Sequence, residues 1–202
     1  GLGTDFQLDV KSLNLLLNSA STNLSKLNWD DLTTDGTVTG LEGLTNTLDL
    51  SIAGNLELGI GSVVKAAGSF AITQQSGIDI DDGTIALFTG DLMMITVTNV
   101  HLFVGVGAGA FEYDVDGNVT GIETDDAIGF LVQGATLNLA MINGGTTGPQ
   151  ANQNWTGIGA SIDLMTVVGL GTDFQLDVKS LNLLLNSAST NLSKLNWDDL
   201  TT

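Results

Sequence analysis

Cysteine and arginine are absent from the 202 residues, and proline, histidine and tyrosine occur once each. Without thiols there is no disulfide framework and no thiolate metal site. One histidine leaves zinc centres and Ser-His or Cys-His nucleophile sets unsupported. Positive charge is scarce too. Five lysines stand against 23 acidic residues, a net of −18. A phosphate backbone needs clustered Lys or Arg, so this composition excludes nucleic acid and disfavours anionic membrane surfaces. No run of about 18 uninterrupted apolar residues is available for a helical membrane span. Cations are the natural partners of such a polyanion, and the 43% apolar content argues for a packed core against disorder.

What the chain has in quantity is repetition. GLGTDFQLDVKSLNLLLNSASTNLSKLNWDDLTT fills residues 1–34 and returns letter for letter as 169–202, so Gly169 restarts what Gly1 began. A self-similar period is read before any other signal. It divides the chain into 1–34, the C-terminal part of a preceding repeat, and 35–202, one complete repeat. A chain opening on Gly with no initiator Met reads as an excerpt of something longer. One full repeat carries 19 acids and three lysines, a net of −16. A weaker inner likeness, offset by close to half the repeat, relates Asp35–Glu42 to Asp116–Glu123 and Val97–Val104 to Val178–Leu185.

Apolar residues alternate with period two almost throughout, the mark of strands with two distinct faces. Four arms follow: Leu44 to Ser76, Ile85 to Tyr113, Ala127 to Asn143 and Trp155 to Thr190. In the second, Ile95, Val97, Val100, Leu102, Val104 and Val106 alternate with a one-residue slip at Asn99, which predicts a bulge. Asp114–Asn118 (DVDGN) predicts a hairpin turn, Gly77–Thr84 a turn with short strand character, and Gly144–Asn154 a polar loop. A straight arm of about 30 residues would span roughly 100 Å, so the arms must bend, at glycines first. The expected fold is all-β: an elongated, Gly-kinked antiparallel structure, solenoid-like or tubular, or alternatively a tandem β-sandwich.

LDLSIAGNLELGIGSVVKAAGSFAI, VTNVHLFVGVG, the DVDGN turn, AIGFLVQGATLNLAMI and TGIGASIDL together resemble the domain-sized tandem repeats of giant secreted or cell-surface bacterial proteins, the adhesin-like exoproteins. The resemblance implies an exported, extracellular or cell-surface protein whose rigidity often depends on calcium. The Gly-Gly-x-Gly-x-Asp calcium nonapeptides common among such proteins are absent.

Three acidic clusters are candidates for calcium. Asp114, Asp116 and Asn118, with Asp125 or Asp126, place oxygens at one-residue gaps, although Gly117 stands too early for an EF-hand. The competing reading is an ordinary hairpin turn. Asp79 and Asp81 share one face of an alternating strand, with Asp82 beside them; such turn acids are more often merely solvated. Asp30, Asp31 and Asp35 lie at the repeat join, where Trp29 and its copy Trp197 are expected to plug the seam. His101 reads as a surface or lightly packed strand residue, on the face opposite Val100 and Leu102. Asn23, Asn118 and Asn154 match glycan sequons. No catalytic set emerges. The leading expectation is a structural repeat forming a stalk, spacer or filament body, with neighbouring repeats and divalent cations as partners; a repeated adhesive module is the alternative and an enzyme the remote third.

Overall fold

The computed structural model describes residues 6–22, 24–61, 63–85, 87–171, 174–189 and 192–201. The chain is all-β. Among these residues the strands are β1 (Phe6–Leu17), β2 (Leu48–Ile60), β3 (Val64–Ile80), β4 (Phe88–Val106), β5 (Phe111–Tyr113), β6 (Val119–Ile122), β7 (Ile128–Asn143), β8 (Asn154–Val168) and β9 (Asp177–Ala188), with one short helix, α1 (Trp29–Thr34). Seven strands make one antiparallel sheet in the order β1-β2-β3-β4-β7-β8-β9, and β5 pairs with β6 in a separate hairpin. The sheet is open. Among the described residues it closes into neither a tube nor a two-sheet sandwich.

Two of the four arms bend by folding into hairpins; the second runs from β4 into β5, and the third is the single strand β7. The first arm is β2 and β3, reversing where Gly61 adopts φ 55°. The fourth is β8 and β9, with Gly169 at φ 83° and Gly171 at φ 74° in the connection. Positive φ costs a non-glycine residue free energy, which is why glycine stands at these reversals. The predicted 114–118 turn joins β5 to β6. Gly77 falls inside β3 rather than in a turn; the β3-to-β4 reversal begins at 82–85.

A crease crosses the strands at mid-height. Pairing registers slip between Val10 and Ser12, between Ala67 and Ser69, and between Val97, Val100 and Leu102. Asn99 (φ 52°), Gly134 (φ 66°) and Ser180 (φ 56°) adopt left-handed backbone conformations along it. The slip at Asn99 is the bulge its sequence predicts. Asn99 and Ser180 also occupy matching places in the two half-repeat segments, Val97–Val104 and Val178–Leu185. A bulge in one strand alone would flip side chains to the wrong face; partner strands that slip nearby keep each face intact.

The two faces differ completely. On one, the transverse rows read Leu15–Ile52–Ile72–Ile95–Leu139–Ile158–Leu185 and, past the crease, Leu8–Leu58–Ala66–Leu102–Val132–Met165–Val178. Leu56, Ala66, Phe70, Val97 and Val100 line one shallow cleft, so this apolar face continues across the crease. We call it the bare face, since no described element of the chain lies over it. The other face is covered at both ends. One core there joins Ile78, Ile80, Phe88, Leu92, Ile142 and Trp155 to Leu195 of the duplicated stretch; Phe88 and Trp155 rings lie 5.1 Å apart. The second core lies under the β5–β6 hairpin, with Phe103, Ile122, Ala127 and Leu131.

Phe103 is fully buried, and its ring occupies the space above the paired glycines Gly105 and Gly129. A Cβ on Gly129 would lie 2.5 Å from the Val104 carbonyl and 2.7 Å from the Phe103 ring, whereas one on Gly59 meets nothing closer than 3.8 Å. Gly129→Ala is therefore expected to destabilise the fold by about 1–3 kcal/mol through overpacking, and Gly59→Ala to stay within about 0.5 kcal/mol. Urea midpoints of the two variants test this; equal midpoints would refute the packing account.

Candidate functional site

The junction made by the duplicated stretch is where the chain concentrates its unusual chemistry. Lys11 and Lys26, two of the five lysines, both reach to acids on β2. Lys11 Nζ lies 3.1 Å from Glu57 and 3.7 Å from Asp9; Lys26 Nζ contacts Asp49 and also donates to the Thr47 carbonyl at 3.0 Å. Glu57 is buried and accepts a further bond from the Tyr113 hydroxyl at 3.1 Å, so the hairpin, β2 and β1 meet at one carboxylate. Hydrogen bonding to Glu57 holds the Lys11 amine above its usual range, although burial opposes this.

Both copies of the stretch build the same small scaffold. Asn18 donates to the Leu27 carbonyl at 2.8 Å and accepts from the Trp29 indole at 3.3 Å; Asn186 does the same with Leu195 at 2.8 Å and Trp197 at 3.1 Å. Asn28 to Asp31 is matched by Asn196 to Asp199. The outer contacts differ. In the second copy Leu195 is 2% exposed and Trp197 lies over Gly157, whereas in the first Leu27 is 56% exposed. In the first copy Trp29 and Asp30 donate backbone bonds to the Leu44 carbonyl, and Asp30 accepts from the Gly43 amide at 2.7 Å. Identical residues form helix α1 in the first copy and a turn at 197–199 in the second. A helix this short needs tertiary partners, and residues 43–44 supply them only to the first copy.

Asp82 anchors the second copy. It is 1% exposed, and its carboxylate accepts from the Thr84, Ile85 and Asn196 backbone amides at 3.0, 2.6 and 2.8 Å. Burial pushes its carboxyl up, but these amide bonds outweigh burial and hold it below the ordinary carboxylate value. Its neighbours do other work. Asp79 is exposed and accepts from Thr89, while Asp81 accepts from the Gly83 amide and pairs its backbone with Thr201.

Asp114, Asp116, Asn118, Asp125 and Asp126 are all exposed. Asp114 spends its carboxylate on its own turn, accepting from the Asp116 and Asn118 amides and from the Asn118 side chain. Those bonds, the Asn118 side chain first, hold its carboxyl low. Asp125 and Asp126 lie in the β6-to-β7 connection. Among the described residues, no group of three or more Asp, Glu, His or Cys side chains converges to hold a metal ion. The Asn23 sequon lies outside the described residues.

His101 corrects its sequence reading. It is 4% exposed, under the hairpin, with Nε2 at 3.1 Å from Asn99, whose amide in turn donates to Val119. Burial lowers the imidazole pKa, with the Glu112 charge opposing. Alternation placed it on the face opposite Val100, but only the returning hairpin makes that face interior.

Sequence reasoning missed Lys11, Lys26, Asp49 and Glu57. The available signal was the lysines' concentration in the duplicated stretch of a lysine-poor chain. No described helix is long and apolar enough to cross a membrane. Comparison with family models, curated proteins and solved structures gives no match for this chain.

Two acid sensitivities follow. The folded state favours neutral His101, so its contribution is present above the ordinary value of 6.5 and is lost as pH falls below it. His101→Gln is expected to flatten the decline in melting temperature between about pH 6.5 and 5. The depressed Asp82 carboxyl contributes stability above its ordinary value of 3.8 and loses it as pH falls further. At neutral pH, Asp82→Ala leaves backbone amides unpaired and is expected to cost about 2–3 kcal/mol, seen as a lower thermal midpoint. An unchanged midpoint would remove Asp82 from the junction.

Proposed function

We propose that the chain is a structural tandem repeat of a long extracellular or cell-surface protein, forming its stalk, spacer or filament body. One observation carries this reading: the same sequence forms both edges of the sheet in compatible ways. β1 and β9 lie six antiparallel steps apart and so run in the same direction. The row through Leu15 ends on Leu185, the counterpart of Leu17, so the stagger across the sheet is two residues. An even stagger returns each side chain to its original face, and an odd one would invert it.

The backbone edges are complementary as well. At the end of β1 the Asn18 amide bonds to Asp49 on β2; at the end of β9 the Ser189 amide, counterpart of Ser21, bonds to Asn154, the first residue of β8. Neighbouring residues in a strand direct their amides to opposite sides. Positions three apart in the stretch therefore use opposite edges. One strand can close a repeat with one edge and open the next with the other, with Lys11 and Lys26 equivalents pinning the following β2. This supports a continuous sheet growing by six strands per repeat, the finer form of the elongated fold. The extracellular location rests on the family resemblance and on a cysteine-free, acidic composition.

An adhesive module is the second reading, favoured by an open groove of about 410 Å³ on the covered face, walled by Trp197 and Asn186 and floored by Gly157 and Ala140. Glycan titrations that shift Trp197 fluorescence would support it.

Chains of one, two and three full repeats test the structural reading. The midpoint of thermal unfolding is expected to rise with repeat number, as nearest-neighbour interfaces accumulate. In the two-repeat chain, Lys194→Met at the internal junction is expected to remove about 1–2 kcal/mol of that gain. Melting independent of repeat number, with scattering profiles of freely jointed beads, would overturn it.

A further inference from the structure

The bare face is the least explained part of the molecule. Seven strands at about 4.8 Å spacing and some fourteen residues at about 3.3 Å make it roughly 30 Å by 45 Å, near 1,400 Å². Soluble monomers rarely expose contiguous apolar patches beyond a few hundred Å². Here Leu13, Leu15 and Leu17 are 64, 59 and 66% exposed at one edge, and Leu183 is 57% exposed at the other. The central positions Ile72 and Ile95 are half-exposed.

We propose that the bare face is an interface between two copies of this chain, packed face to face as a two-sheet sandwich. Three observations select that occupant. The connections that could have folded over the face do not: residues 24–47, 192–201 and the β5–β6 hairpin make their contacts on the covered face. If the sheet continues from repeat to repeat, no repeat has a segment left over for it. The area also matches. Two such faces together bury roughly 2,800 Å², within the range of obligate dimers. Finally, the two long bare-face rows contain no charged residue, Asp79 and Asp91 lying only at one end of β3 and β4, while Asp9, Lys11, Glu57 and Lys65 fall on the covered face. Two chains of net charge −18 can meet over these rows with most of their charges pointing outward. Sheets stack face to face at about 10 Å, interleaving alternate side chains, and an open sheet with apolar rows suits that packing. The strongly acidic surface elsewhere disfavours an anionic lipid surface as the occupant.

β4 is the middle strand of the seven, so a two-fold axis through the pair passes near Ile95. The chain has no native cysteine, which makes single-cysteine probes clean. The 202-residue chain is expected to sediment at twice its 20.9 kDa mass. Ile95→Cys should crosslink between copies with a short bis-maleimide, and Thr96→Cys, on the covered face of the same strand, should not. Ile95→Glu should weaken dimerisation at least tenfold, with circular dichroism reporting whether the sheet survives. If that variant unfolds, the crosslinking pair still decides. Leu184→Pro serves as an edge control: its amide points away from β8, so it blocks edge pairing and should leave the dimer intact. A monomer at all concentrations, crosslinking at Thr96 instead of Ile95, dissociation by Leu184→Pro alone, or monomers that float with phosphatidylcholine vesicles would each overturn the proposal. The repeat-number experiment is independent of these outcomes, so either idea can fail alone.

Discussion

A β-strand has two hydrogen-bonding edges, and a strand at the border of a sheet leaves one of them open. Everything notable about this chain depends on how that constraint is met. Its two border strands share one sequence, one direction and one set of outward faces, and they use opposite edges. The stagger of two residues reconciles these demands. Slipping by one would turn the leucines of β9 to the covered face, where Asn186 now holds the Leu195 carbonyl.

Charge follows the same logic. Lysine is scarce in so acidic a chain, and its placement marks the contacts that must be specific. Lys11 and Lys26 join the duplicated stretch to β2, and Lys65 packs on Phe111 and donates to the Gly109 carbonyl, holding the hairpin against the sheet. The acids they engage, Asp49 and Glu57, sit on one strand, each gripping a different part of the stretch. These pairs are only partly buried and add little net stability, but a register slip would leave Glu57, the buried partner, without its cation. At a junction between otherwise similar strands, that penalty is the useful property.

Much of the fold was legible in the alternation of apolar residues. The all-β class, the bulge at Asn99 and the turn at Asp114–Asn118 all follow from period-two patterning and local turn chemistry. The reversals at Gly61 and Gly169 were less legible, because 26 glycines offer many equivalent places to bend and only pairing energy chooses among them. The role of Asp82 was hidden by distance: its partner Asn196 lies more than half the chain away, and an acidic cluster reads locally as a metal site or a solvated turn. Helix α1 was hidden differently, since the same residues are a turn when Gly43 and Leu44 are not beside them. Local sequence identifies elements; long-range contacts decide what they are for.

The order of the strands has a mechanical corollary. Chain enters the sheet at one border and leaves at the other, so in the proposed row of repeats tension would act across the strands rather than along them. Such a pull opens backbone bonds a few at a time, like a zipper, instead of shearing a whole strand at once. In the proposed continuous sheet each repeat would advance by about 29 Å, six strands at about 4.8 Å, against an extended contour of roughly 550 Å. Under load, such a molecule would give way by releasing length one strand at a time, dissipating force while its remaining repeats stay folded.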